Sequence, residues 1–527
     1  MTITKNILIS LSAMLLLTVV LSGCSDHEII DSSEQPVRTD SIYINLEMTS
    51  PTNTTRANPS GGEDGDDYPE GGVNKENDIK KVVLCFYQAA NGINSRDEDV
   101  KLTKIPVSSV IVTGSDKLYT ASFSVPSSTL TLGAEYHLVV VANPTNEVSG
   151  ITKLKDLKDA VLNTAWTHNG DIAKCDNFVM SSRFLASGAA EEEEIKGEKG
   201  YKDITYILTN SNTQNNPLKI EAVIERVAAR IDIIPATLTN GAKWDETNNG
   251  YEFPVTGAPD DKLIVTDVMP VNCMKQGSYL MKHLAAADAT DKKIDYNAIS
   301  LIGKEEPRSG VQTNYVVDPY TRDKTSLSSS SSPIDGTYYT NYYNNGMSVT
   351  GCPIQKPTID DHYILAYTME NTMDLDCQLA KYATGIVVKG IYVPKKWYNV
   401  VDGKLKEEEA TAKETFYTFS GHVFASRDAA DKYKQDTEDG AATGTVSTYT
   451  DGVCYYVYWL RHSNDNKPEE KGIMEYGVVR NNIYRLSLNK FSGIGDPIPG
   501  GDEDVEKMNC NVYVVPWAVY NHDKIIF

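Results

Sequence analysis

The chain has 527 residues, enough for two or three domains, and 50 basic against 72 acidic residues leave it at −22. That balance excludes a nucleic-acid binder, which needs a basic footprint, and suits a solvated surface that resists non-specific association. Tyr outnumbers Phe by 31 to 10, as expected of exposed strands whose rings keep one end wet.

The N-terminus reads as an export signal. Lys5 precedes an apolar run over 7–21 that ends in small residues, too short for a span and typical of a cleaved leader. No other stretch reaches the roughly 18 apolar residues that a spanning helix needs. Leu21-Ser22-Gly23-Cys24 resembles a bacterial lipobox. The resemblance implies a signal peptide over 1–23 and a lipid on Cys24; ordinary cleavage beside an incidental Cys is the alternative. Asp26, Glu28, Asp31 and Glu34 follow at once, similar to the surface-export tag of Bacteroidota lipoproteins.

Beyond the leader the pattern is β throughout. Ser41–Thr49 alternates, with Ile42, Ile44, Leu46 and Met48 on one side and Tyr43, Asn45 and Glu47 on the other, the mark of a half-buried strand. Residues 50–72 turn polar and rich in Gly, Pro, Asn and Asp, a flexible segment. Strands are expected at 79–87, 107–113, 118–125 and 136–142, and a short helix at 154–162. A long strand over 220–234 ends at Pro235 and closes a first domain. Further strands are expected at 263–268, 363–369, 385–393, 416–419, 453–460 and 483–488, with a second short helix at 425–433. Between them lie a Ser run at 326–332 and a Tyr-rich loop at 337–346. That loop has the composition of a binding surface, with a merely solvated loop as the alternative. Many short strands with few helices predict an all-β chain of two β-sandwich domains joined near Pro235.

The end of the chain is the most informative segment. Residues 492–504 are rich in Gly, Pro and acid and should be extended and solvated. They tether a strand-like run, Cys510-Asn511-Val512-Tyr513-Val514-Val515-Pro516-Trp517-Ala518-Val519. A tethered strand can complete a sheet in another molecule, main-chain hydrogen bonds supplying the affinity; the alternative is that it is the last strand of its own domain. In an extended run Tyr513, Val515, Trp517 and Val519 share one side. That set is larger and more apolar than Val512, Val514 and Pro516, so it is expected to enter the partner.

Chemistry-bearing motifs are absent. There is no G-x-S-x-G, H-E-x-x-H or Walker loop, and no cofactor or metal site is indicated. The acids around Asp64, Asp66 and Asp67 fail the EF-hand pattern. Of eight Cys, none forms C-x-x-C, so zinc spacing is missing. Mostly free, buried thiols are expected, with a local Cys352–Cys377 disulfide as the alternative.

These residues carry a family resemblance. The lipobox, the strand Ser41–Thr49 and Thr55-Arg56-Ala57 come first. Ile224-Glu225-Arg226-Val227-Ala228-Ala229-Arg230, Val453-Cys454-Tyr455-Tyr456-Val457-Tyr458-Trp459-Leu460 and Val478-Val479-Arg480-Asn481-Asn482-Ile483-Tyr484 follow. Val514-Val515-Pro516-Trp517-Ala518-Val519 is last. In this order they resemble a fimbrial major subunit, or fimbrillin, of the Bacteroidota type V pilins, the short-fimbria branch above all.

The resemblance implies transthyretin-like domains, lipoprotein export to the outer membrane and cleavage by a trypsin-like protease between Arg56 and Ala57. A cut at Arg38 would spare Ser41–Thr49 and vacate nothing. On this reading 24–56 is a propeptide whose strand, through Ile42, Ile44, Leu46 and Met48, holds a place. The segments 57–235 and 236–490 are the two sandwiches, 491–507 a linker and 508–527 a donor strand that fills the vacated groove of the next copy. The implied partners are other copies of the chain, anchor and tip subunits, the protease and, through the precursor lipid, the outer membrane. The implied role is an extracellular fimbria supporting adhesion and biofilm formation. A tip or anchor subunit and a lipid-anchored glycan-binding protein are the alternatives; an enzyme is the least favoured.

Overall fold

The structure is a computed structural model. It describes residues 41–49, 70–71, 74–113, 118–163, 175–184, 205–236, 241–284, 299–300, 339–344, 346–356, 362–372, 382–410, 414–437, 444–462, 475–499 and 507–518. The strands that meet around the two ends of the chain are β1 (Ser41–Thr49), β2 (Glu70–Gly71), β3 (Ile111–Thr113), β4 (Leu118–Pro126), β5 (Leu218–Arg226), β6 (Ala229–Ile234), β7 (Asn482–Ser492) and β8 (Met508–Ala518). A single helical turn, α1 (Asn74–Asn77), follows β2. The chain is all-β, as its alternation predicts.

The first sheet runs in the order Thr103–Val107, Val82–Tyr87, Glu135–Ala142, Met180–Ser182, β5, β1, β4, β3. The strand nearest the N-terminus therefore lies inside the sheet, antiparallel to β4 and parallel to β5. The second sheet runs β2, β8, β7, Gly250–Thr256, Ala258–Val271, Gly385–Val393, Val453–Trp459, and β6 lies between Tyr363–Thr368 and β7. A smaller sheet over 396–449 carries the helix Arg427–Asp436. Ser426 starts that helix by accepting the Ala429 N–H at 3.2 Å, as an N-cap does.

Two expected strands divide. The run 220–234 breaks at Val227–Ala228, because the Val227 N–H goes to the Val179 carbonyl and the Ala228 carbonyl takes the Asn481 N–H. With those peptide groups diverted, β5 ends in the first sheet and β6 begins in the second. The run 107–113 breaks at exposed Ser108 and Ser109. Its halves pair with different neighbours, Val82–Tyr87 and β4.

The described part of the Gly- and Pro-rich loop is strapped, not extended and free. Asp496 and Tyr455 exchange backbone hydrogen bonds at 2.8 Å. Tyr449 and Tyr456 donate their hydroxyls to the carbonyls of Gly495 and Gly493 at 3.0 and 2.9 Å, and Lys507 pairs with Asp496 at 2.9 Å. Glycine permits this approach, since a Cβ at position 495 would stand 2.4 Å from the Tyr455 carbonyl oxygen. The Tyr-rich loop also serves the interior. Tyr339 and Tyr343 are buried, Tyr343 stands edge-on to Trp459 at 4.9 Å, and the Tyr339 hydroxyl donates to the Tyr382 carbonyl at 3.0 Å. Cys352 is a free, buried thiol, so the local bridge to Cys377 is not made; Cys377 itself lies outside the described residues. Burial pushes the thiols of Cys85, Cys273 and Cys454 up to about 12.

Candidate assembly site

The site is built on β1. Its register with β4 runs from Ser41 opposite Pro126 to Met48 opposite Tyr119, and its register with β5 from Ile44 opposite Leu218 to Thr49 opposite Val223. Period-two geometry sends Ile42, Ile44, Leu46 and Met48 into the core, where none is more than 1 % exposed. They pack with Tyr119, Ala121 and Val125 of β4 and with Ile220, Ala222 and Ile224 of β5 in one apolar cluster. Burying four such side chains stabilises the fold by about 6–12 kcal/mol before ordering costs, at roughly 1.5–3 each. The outward residues Tyr43, Asn45 and Glu47 are half-buried, and Asn45 Oδ1 accepts the Ser122 hydroxyl.

In this chain β8 lies against its own β7. Its register runs from Pro516 opposite Asn482 to Met508 opposite Phe491. Met508, Cys510 and Val514 are buried in the cluster of the second sheet, with Val512 packed against it. On the opposite face Val515 is buried in the cluster that holds β1, and Tyr513 packs against it. At its far end the backbone of Trp517 and Ala518 pairs with β2. Among the described residues β8 has no other ladder partner on that side, so its departure would not split the sheet; β7 keeps β6 on its other side.

A buried ionic hub fixes the chain between these strands. On β6, Ala229, Ile231 and Ile233 face the second core, so alternation turns Arg230 and Asp232 the other way. Arg230 holds Asp232 in a fork at 2.9 and 2.8 Å and reaches Glu76 of α1 at 3.1 Å. Arg485 of β7 donates to Asp232 at 3.1 Å. Burial would raise the Asp232 carboxyl, but the Arg230, Arg485 and His362 charges outweigh it and hold it below the usual range. Arg226, the last residue of β5, donates to the Glu76 carbonyl at 3.1 Å and to Asn77 Oδ1. Tyr367 donates its hydroxyl to Glu76.

A second cluster sits beside it. Arg480 pairs with Glu370 at 2.7 Å and donates to the carbonyls of Tyr279 and Ser278 at 2.9 and 2.7 Å. Glu225 lies 3.9 Å from Arg183, and neither of its carboxylate oxygens accepts a hydrogen bond. Burial pushes its carboxyl up to about 7, against the pull of Arg183 and Arg480.

Glu225, Arg226 and Arg230 belong to the segment 224–230 and Arg480 to 478–484, whose structural part the sequence reading did not assign; Glu76, Arg183, Asp232, Glu370 and Arg485 join them from elsewhere in the chain. The signal was arginine and acid at positions of otherwise apolar strands, and only the fold shows that they meet. Cys24, Arg56, Ala57 and Val519 lie outside the described residues, and Trp517 is described by its backbone alone.

Two family profiles match the chain. That of the major fimbrial subunit protein (FimA) covers residues 42–222, and that of the major fimbrial subunit protein type IV, fimbrillin, C-terminal, covers 447–523. Both matched regions are those of major fimbrial subunits, the fimbrillins. The chain is a structural subunit of a cell-surface fimbria and not an enzyme. No curated protein sequence matches it.

Among solved structures, a fimbrilin from Porphyromonas gingivalis W83 is similar at 14 % identity, with 91 % of this chain and 99 % of that chain covered and a TM-score of 0.39. A tip fimbrial protein from Porphyromonas gingivalis, truncated at its C-terminus, is 10 % identical, with coverage of 90 % and 100 % and a TM-score of 0.34. A fimbrial assembly protein from Parabacteroides distasonis is 9 % identical, with coverage of 85 % and 92 % and a TM-score of 0.29. At these distances no residue role transfers.

Proposed function

We propose that this chain is a strand-exchanging stalk subunit of the short-fimbria type, exported as a lipoprotein on Cys24 and matured by a trypsin-like protease that cuts between Arg56 and Ala57. The cut separates β1 from the rest of the chain. Loss of β1 leaves an apolar trough between β4 and β5 and bares two strand edges, both sticky by nature. The C-terminal strand of another copy enters through Tyr513, Val515, Trp517 and Val519. The contact is head-to-tail, so it propagates instead of closing, and the filament supports adhesion and biofilm formation. The supporting observation is the position of β1: a strand from the N-terminal segment lies inside the sheet with four buried side chains. The tie of α1 to Arg226 and Arg230 holds the new N-terminal region in place when β1 is gone.

The test is limited trypsin digestion of the precursor lacking residues 1–24, followed by N-terminal sequencing and electron microscopy. The expected result is a new terminus at Ala57 with filaments that vanish on deletion of 508–527 and fail to form in Arg56→Ala. A stable monomer resistant at Arg56 would overturn the reading. The pairing of β8 with its own β7 favours a second reading, a tip or anchor subunit or a lipid-anchored glycan-binding protein that keeps this strand. That reading predicts cleavage, or none, without polymers.

A further inference from the structure

The strands on either side of β1 are matched to each other. Because β1 is antiparallel to β4 and parallel to β5, β4 and β5 are antiparallel. Their residues share rows through β1: Phe123 and Leu218 across Ile44, Ala121 and Ile220 across Leu46, Tyr119 and Ala222 across Met48. In the last two rows both outer residues are buried. In the alternate row across Asn45, Ser122 and Lys219 are both exposed. Sliding β4 sideways by one strand spacing, about 4.8 Å, thus brings it onto β5 with inward residues still inward and no slip in register.

Nothing else in the ladder restrains β4. Among the described residues it pairs with β1 and with the three-residue strand β3 only. Without β1 the β3–β4 hairpin has no sheet neighbour, and an isolated hairpin is marginal in water. It keeps a pivot at one end. The Tyr119 hydroxyl donates to the Asn77 carbonyl, and Asn77 Oδ1 accepts from Arg226 at the end of β5, so one residue of α1 ties β4 to β5. At the opposite end Phe123 and Val125 have no ladder partner but β1 among the described residues, so that end is the one released when β1 is lost.

We infer that loss of β1 lets the β3–β4 hairpin swing about the Tyr119–Asn77–Arg226 tie and pair β4 directly with β5, so that the matured subunit alternates between an open groove and a self-closed one. This rests on the proposed removal of β1. Closure satisfies both bare edges and hides the trough, so it competes with the incoming strand. It protects single matured subunits from non-specific pairing and makes assembly depend on subunit concentration.

The test is a disulfide reporter in the full precursor chain, Ser122→Cys with Lys219→Cys. In the precursor β1 separates the two by two strand spacings, about 9–10 Å, beyond the roughly 7 Å that a disulfide spans. No cross-link is expected under mild oxidation. After limited trypsin digestion at low protein concentration the cross-link should form at least tenfold faster. It should be suppressed by a synthetic peptide of residues 41–49 and by raising the protein concentration. Thr120→Cys with Glu221→Cys, two rows nearer the pivot across Glu47, is the second reporter. If digested chains polymerise and bind the peptide while both reporters stay reduced at every concentration, the groove stays open and closure is overturned, with strand exchange intact. If they neither cross-link nor polymerise, the underlying reading falls as well.

Discussion

Replacing Leu46 by alanine separates a strand that holds a place from one that belongs permanently to the fold. Leu46 is fully buried, between Ala121 and Ile220 in register, and a Leu→Ala change at such a site costs about 2–5 kcal/mol. The precursor should lose that much stability in urea unfolding. The matured subunit should lose none, because residue 46 has left with the propeptide. Between cleavage and release, β1 is held without a covalent link. At 1.4 kcal/mol per tenfold, the substitution should weaken its retention by about 30-fold to several thousand-fold. The lag before light scattering rises after trypsin addition should therefore shorten, with the rate of cutting unchanged. A matured Leu46→Ala subunit as destabilised as its precursor, or an unchanged lag, would refute the placeholder role of β1.

Three further substitutions and one labelling experiment follow from the buried groups. Glu225 has its carboxyl raised from 4.5 to about 7, so between those values the folded state holds a proton that the unfolded chain has released, and stability falls as pH rises through this window. Glu225→Gln should therefore match the wild type below pH 4.5 and exceed it above pH 7, read by thermal unfolding across pH. Asp232 is depressed, so its stabilisation is present above the ordinary carboxylate value and is lost as pH falls toward its folded value. Asp232→Asn should cost about 3–5 kcal/mol at neutral pH by removing the buried carboxylate charge that Arg230 and Arg485 share, and the deficit should shrink in acid. Gly495→Ala drives a Cβ toward the Tyr455 carbonyl and should cost about 1–3 kcal/mol, with faster proteolysis of the loop before β8. The buried thiols of Cys85, Cys273 and Cys454, raised to about 12, should resist iodoacetamide in the native protein and react on unfolding, checked by peptide mass mapping.

The sequence made β1 legible because strict alternation of Ile42, Ile44, Leu46 and Met48 has one structural meaning. It did not reveal that β1 lies inside the sheet, since pairing order is set by contacts distant in sequence, here with residues 119–126 and 218–223. The breaks at Val227–Ala228 and at Ser108–Ser109 were hidden for a related reason. The apolar runs continue, and only the partners of the peptide groups change. The loop beginning at Gly493 misled because glycine marks two opposite things, a free tether and a place where backbones touch. Gly495 is the second kind. The hub was invisible because Glu76 and Arg230 are 154 residues apart, while Arg230 and Asp232, two residues apart in an apolar strand, were its one local sign.

The direction of the proposed exchange follows from what each strand has to give up. In its own chain β8 pairs along its length with β7 and meets β2 over two residues only. Leaving costs one ladder and the burial of Met508, Cys510, Val514 and Val515. In the groove a strand gains two ladders, of eight register pairs with β4 and six with β5, and four apolar positions. The apolar terms nearly offset, so the second ladder decides, at about 0.5–1.5 kcal/mol net per hydrogen bond. That surplus is drawn on by the entropy of association, so on the proposed mechanism a place-holding strand of the same chain, at no association cost, should keep the precursor monomeric. A threshold concentration for polymer growth follows. It should rise when Val519→Asp is placed on the expected entering face, and should fall when Met508→Ala loosens β8 from its own core without touching that face. If Met508→Ala raised the threshold instead, the even-numbered face of β8 would be the one that enters the groove.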